Sequence, residues 1–92
     1  MNMVLRIERA LEGQLMTLRL SGRLQAEHLR DLKAQIDGST RKVVLNLEEV
    51  KLVDQEAVSF LAACEANGVR LIRCSPYVRN WIARERDGGG SS

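Results

Sequence analysis

The hydrophobic period of this chain keeps switching between two residues and about 3.6, and that switching limits the folds open to it. Val4-Leu5-Arg6-Ile7-Glu8 alternates apolar with polar, and Leu15-Met16-Thr17-Leu18-Arg19-Leu20 does so again after Glu12-Gly13-Gln14. Two alternating runs around a short glycine turn predict an antiparallel hairpin. From Ala26 the spacing becomes helical: Ala26, Leu29, Leu32 and Ile36 share a side, and Gly38 follows at the C-terminal position. Val43-Val44-Leu45-Asn46-Leu47 reads as a third strand, and Glu48 to Val53 as the turn leading to Asp54, a good N-cap. Ala57, Phe60, Leu61 and Cys64 then mark a second helix that Asn67-Gly68 closes, and Val69-Arg70-Leu71-Ile72-Arg73 a fourth strand. Pro76 opens a last helix with Tyr77, Val78, Trp81 and Ile82 on its apolar side.

The order ββαβαβα predicts parallel pairing of strands two, three and four through crossover helices. The expected fold class is therefore α/β: a small mixed, mostly parallel four-stranded sheet with an N-terminal hairpin. Alternation in the strands places Arg6, Glu8, Thr17 and Arg19 on one face, with Asn46 interrupting strand three in the same way. Helices are expected mainly on the other face. The open face reads as a solvated sheet surface, with a partner surface as the alternative.

At 92 residues, residues 1–86 are expected to form a single domain. Residues 87–92, Asp-Gly-Gly-Gly-Ser-Ser, read as a flexible tail or an expression remnant. The composition, 45% apolar and 28% charged, is that of a globular protein. Aromatics are limited to Phe60, Tyr77 and Trp81, so the core falls to Leu, Val, Ile and Ala. Fourteen basic and twelve acidic residues are interspersed, giving a net charge of +2 with no basic stripe, so nucleic acid is not an expected partner. No apolar run is long enough to span a bilayer, and the N-terminus lacks the pattern of a secretory signal. A cytoplasmic location without membrane insertion is the expectation, with Cys64 and Cys74 as reduced thiols.

Catalytic chemistry finds no assembled set. One histidine, His28, on the polar side of the first helix, and two scattered cysteines do not make a metal site, and no cofactor motif is present. Ser21, Ser59 and Ser75 lack a nucleophile-elbow context, and the glycine run at 88–90 has no helix after it. An enzyme is not expected. A binding edge is easier to place, because partners of open α/β sheets dock beyond the carboxyl ends of parallel strands. Those ends are Ser21-Gly22-Arg23, the approach to Asp54-Gln55-Glu56, and Cys74-Ser75-Pro76, all expected on one side.

The run Val43-Val44-Leu45-Asn46-Leu47-Glu48-Glu49-Val50-Lys51-Leu52-Val53-Asp54 resembles the central signature of the STAS family (sulphate transporter and anti-sigma factor antagonist). In that family a hydrophobic strand ends in Asp-Leu, a turn carries a Val and an apolar pair, and Asp-Ser-Ser-Gly opens a helix. Leu20-Ser21-Gly22-Arg23-Leu24 resembles the family's Leu-x-Gly-x-Leu segment, and the resemblance spans residues 4–84. It implies a STAS-like fold and a bacterial signal-transduction role: a regulatory, protein-binding module of the anti-sigma factor antagonist type. The partners it implies are an anti-sigma kinase, a scaffold or a transport ATPase.

The departures fall at the switch. Asp54 matches the motif, but Gln55 stands where the family has its phosphorylated Ser, Glu56 at the second Ser and Ala57 at the Gly; Asn46 replaces the Asp before the turn. Without a hydroxyl at Gln55 the usual phosphorylation switch is expected to be absent. Glu56 reads as an ordinary helix-start acid rather than a phosphate mimic. Ser59, one turn on, reads as an ordinary helix residue rather than a displaced phosphosite. The expected partner-binding residues are Arg23, Asp54, Gln55, Glu56 and Ser59. The alternative use of the same edge is binding a small ligand, as in a lipid-transport accessory domain. Trp81 and Tyr77, four residues apart, are expected in the core, with a homodimer contact as the alternative.

Overall fold

A computed structural model describes residues 5–91, with side-chain surroundings described through residue 86. The elements are β1 (Arg6–Glu12), β2 (Leu15–Leu24), α1 (Ala26–Asp37), β3 (Lys42–Val53), α2 (Gln55–Ala66), β4 (Arg70–Ile72) and α3 (Pro76–Ser91). The four strands form one sheet in the order β1-β2-β3-β4. β1 and β2 are antiparallel, while β2, β3 and β4 run parallel, as the alternation of elements requires. The hairpin closes across Gly13 and Gln14, between the pair Glu12↔Leu15, and Gly13 takes a φ of +58°. Two-residue hairpin turns need that left-handed conformation, which glycine adopts without a Cβ clash.

Period-two alternation decides which face of the sheet is covered. Leu18, Leu20, Leu45 and Leu47 point inward and meet Leu32, Val58, Leu61 and Ile82 from the three helices in one cluster. On the reverse face the rows Glu8↔Arg19↔Asn46↔Ile72 and Ala10↔Thr17↔Val44↔Arg70 cross all four strands. Val44 is buried there, but outside the main cluster. The helices therefore lie on one face, and the other carries the mixed polar set that strand alternation predicts.

β3 differs from the sequence reading. Glu48 to Val53 is not a turn but a continuation of the strand, which stays paired with β2 as far as Leu24↔Val53. The register shifts twice, between Arg19 and Ser21 and between Gly22 and Arg23 of β2, so twelve residues of β3 run beside ten of β2. Each shift adds one residue to β3, as a β-bulge does. The bulges break the alternation in Glu48-Glu49-Val50-Lys51-Leu52, which is why this stretch lacks a strand signature. At the first bulge Asn46 Oδ1 accepts the Glu48 N–H at 3.0 Å. At the second, Gly22 supplies a φ of +96°.

Smaller differences concern element ends and one side chain. β1 lies at Arg6–Glu12 rather than over Val4 to Glu8, Val4 falling outside the described residues. Gly38 does close α1, but with a right-handed φ of −78°; a Cβ there would stand 3.1 Å from the Ala34 carbonyl oxygen, so closeness rather than handedness favours glycine. His28 is half-buried rather than solvated, and its Nδ1 is shielded with no hydrogen-bond partner among the described residues. The backbone of α3 is helical into residues 87–91, the segment read from sequence as a tail.

Candidate partner-binding edge

Parallel β2 and β3 end level with one another, at Leu24 and Val53, so the helices that follow them start side by side. Asp54 stands between the two starts. Its Oδ1 accepts the Ala57 N–H at 2.8 Å, the capping bond of α2. Its Oδ2 accepts the Ala26 N–H of α1 at 3.0 Å, across 28 residues of sequence. The N-cap residue of α1, Gln25, makes no side-chain capping bond of its own, so one carboxylate serves two helix N-termini. Both dipoles place partial positive charge there, which suits a shared anion.

The first turns of α2 are bound to α3. Gln55 Nε2 donates to Glu85 Oε2 at 2.7 Å, and Ser59 Oγ donates to Glu85 Oε1 at 2.6 Å. These bonds, Ser59's foremost, hold the Glu85 carboxyl below its ordinary value because they favour the ionised form. At the other end of α2, Arg79 Nη1 reaches both Glu65 oxygens at 3.0 and 3.1 Å, and Arg86 Nη1 lies 3.5 Å from Oε1. The two helices are antiparallel and pinned at both ends.

Of the residues singled out from sequence, the fold gathers Asp54, Gln55 and Ser59 around the start of α2. Glu56 is exposed in its first turn, away from those bonds. Arg23 is exposed on β2 opposite Leu52, an apolar side chain that remains 47% exposed. The third expected contributor, Cys74-Ser75-Pro76, does not reach this edge. β4 ends level with Asn46, five β2 residues short of Leu24, or roughly 17 Å of strand at about 3.3 Å per residue. Sequence reasoning missed Leu52, hidden inside what read as a turn, and Glu85, which lies 30 residues from Gln55 with no local pattern to connect them.

The edge has hydrogen-bond acceptors, donors and an exposed leucine. Among the described residues no group of three or more His, Cys, Asp or Glu side chains is placed to hold a metal ion. Two concavities lie elsewhere. One, about 170 Å³, lies between α1 and α2, with Phe60, Cys64 and Val69 below and Lys33 and Asp37 at the rim. Burial pushes the Cys64 thiol up to about 11, with Asp37 adding and Lys33 opposing, so it is an unreactive thiol at neutral pH. Cys64 and Cys74 are both free. The other concavity, about 370 Å³, lies on the open sheet face, lined by Glu8, Ala10, Thr17, Arg19 and Asn46 together with Arg9. No helix among the described residues is long and apolar enough to cross a membrane.

No known protein-family profile matches the chain, and neither does any curated protein. Solved structures do. The anti-sigma factor antagonist SpoIIAA in its unphosphorylated form aligns over 88% of this chain and 83% of its own, with 20% identity and a TM-score of 0.62. The Bacillus cell fate determinant SpoIIAA in its phosphorylated form aligns over 95% of this chain and 86% of its own, with 21% identity and a TM-score of 0.63. The four-stranded mixed sheet with three helices is thus the fold of the anti-sigma factor antagonist SpoIIAA.

Proposed function

We propose that this chain is a non-catalytic regulatory module of the STAS type that binds a protein partner through the edge formed by Arg23, Asp54, Gln55, Glu56 and Ser59, and that it does so without a phosphorylation switch at the head of α2. The observation that carries the reading is the state of that head. Asp54, at the position of the family motif's Asp, caps α2, while Gln55, in place of a phosphorylatable hydroxyl, donates to Glu85 of α3. The helix start is thus tied by fixed hydrogen bonds where the family has a reversible charge. Leu52 beside Arg23 adds an apolar contact to an otherwise polar edge, the mixture that partner surfaces combine. The partner class is an anti-sigma kinase, a scaffold or a transport ATPase, in a bacterial cytoplasm, and residues 1–86 are the functional unit.

A ligand-binding, lipid-transport accessory role has less support. Neither concavity is lined by a residue of this edge. The cleft between α1 and α2 is about 170 Å³, below the roughly 300–1,000 Å³ typical of small-molecule sites. The one of about 370 Å³ on the open sheet face is lined mostly by charged and polar side chains. The test is capture of the native partner by tagged protein from the source cell, with each retained protein identified by mass spectrometry. Glu56→Lys and Leu52→Ser should each reduce retention of the same protein while leaving the thermal midpoint of the module unchanged. Equal retention by both variants removes this edge from consideration.

A further inference from the structure

Charge is unevenly spread along the chain. Residues 67–86 carry five arginines (Arg70, Arg73, Arg79, Arg84 and Arg86) against a single acid, Glu85, while the whole chain is only +2. The one acid is already taken by Ser59 and Gln55, and Arg79 and Arg86 turn toward Glu65 on α2. Among the described residues, Arg73 and Arg84 make no ion pair, and both are exposed.

Arg84 does not stand alone. Tyr77, Trp81 and Arg84 follow one another at i, i+4 and i+7, so they form a stripe along one side of α3. That side is turned away from the flank that carries Arg79 and Arg86 to α2. Tyr77 is 60% exposed, and its ring packs against that of half-buried Trp81 with centroids 5.8 Å apart and planes tilted by 60°. Arg73 closes β4 at the entrance to the same helix, with a left-handed φ of +55°.

We propose that this stripe is a second docking surface, separate from the edge at α2, and that it takes an acidic segment of a partner protein whose apolar side chains pack on Tyr77 and Trp81 while its carboxylates meet Arg73 and Arg84. Trp, Tyr and Arg are the residue types that dominate binding energy at protein interfaces. Two guanidiniums with no ion-pair partner among the described residues favour carboxylates, which they hold through paired N–H donors. The tilt between the rings, and the sinking of Trp81, leave no parallel platform for successive nucleobases. Two aromatics without a continuous apolar face do not make a membrane-lying helix.

Trp81 is the only tryptophan, so its emission reads the stripe directly. The whole chain is titrated with an acidic peptide of Leu and Glu, its charge-reversed counterpart of Leu and Lys, a single-stranded oligonucleotide, and phosphatidylglycerol vesicles. The expected result is a saturable shift with the acidic peptide alone, weakened about tenfold or more by Arg84→Glu and left unchanged by Arg30→Glu on α1. Arg73→Gly should weaken binding without lowering the thermal midpoint, because glycine relieves the positive φ while removing the charge. The proposal is overturned by no response to the acidic peptide, by equal binding of Arg84→Glu, or by tighter binding of the oligonucleotide or vesicles. A concentration-dependent shift of the protein by itself would equally overturn it, in favour of self-association.

Discussion

At its N-terminal end α2 offers neutral donors, Gln55 and Ser59, to a carboxylate on α3; at its C-terminal end it offers a carboxylate, Glu65, to two guanidiniums of α3. The two ties join the same pair of helices and differ in kind. Bonds from an amide and a hydroxyl act only at contact, depend on geometry, and last while Glu85 stays ionised. The Glu65 pairs act through charge in a partly wet setting, so they tolerate looser geometry and fade as salt screens them. The end that carries the candidate partner edge is held by the more exacting of the two. A helix start that must present a fixed surface gains from a constraint that specifies position rather than mere attraction.

The largest expected effect lies beside the N-terminal tie, at Asp54, the carboxylate that joins the starts of α1 and α2. Asp54→Ala deletes the cap of α2 and the bond to α1 together, and should cost about 2–5 kcal/mol, since a cap alone is worth about 0.5–2 and a charge-assisted bond about 1.5–3. Asp54→Asn keeps an acceptor for one of the two N–H groups and should lose about half as much. Urea denaturation of the three proteins gives the ratio. Next in size is Arg79→Ala, expected to cost about 0.5–1 kcal/mol because both partners remain partly exposed, and less still near 1 M salt. A loss at Arg79 larger than that of Ser59→Ala, which removes a bond to Glu85, would mean that charge, not geometry, holds the helix pair.

Acidity probes the N-terminal tie from the other side. The Glu85 carboxyl is lowered in the fold, so its contribution is fully present above the ordinary carboxylate value of 4.5 and disappears as pH falls through the lower folded value. Glu85→Gln should therefore flatten the acid limb of the stability profile below pH 4.5 and leave the profile above that value parallel to the parent. A change of slope at neutral pH instead would assign the limb to another group. Smallest of all, ending the chain after Arg86 should shift stability by no more than about 0.5 kcal/mol, because a glycine-rich helix end adds little. A larger loss would extend the tie at Glu85 into the last turns of α3.

What the sequence made legible was whatever rests on local pattern. Alternation in β1 and β2 announced the open sheet face, the helical spacing of Ala26 to Ile36 announced α1, and Asp54 announced itself as a cap by type and position. What stayed hidden was set by pairing across the chain. Only the shared ending of β2 and β3 brings the Ala26 N–H to Asp54, and only the antiparallel packing of α3 on α2 brings Glu85 to Gln55 and Ser59. The run Glu48 to Val53 was misread for the same reason: its strand character comes from β2 beside it, and the bulges erase the alternation that would have shown it. His28, polar by type, was misplaced because the burial of one ring nitrogen depends on neighbours that helical spacing does not reveal.

The two bulges of β3 also set a rule of parity. Core-facing positions on this strand are odd-numbered through Leu47, become even at Val50, and are odd again at Val53. One inserted residue inverts the strand and the second rights it, which is how Val53 comes to face inward with Asp54 aimed between the two helices. Shortening β3 by a single residue in this stretch would flip everything beyond it, whereas removing the pair together would leave the inward side intact. Changes of length here are thus filtered by whether they are even or odd, more than by how large they are.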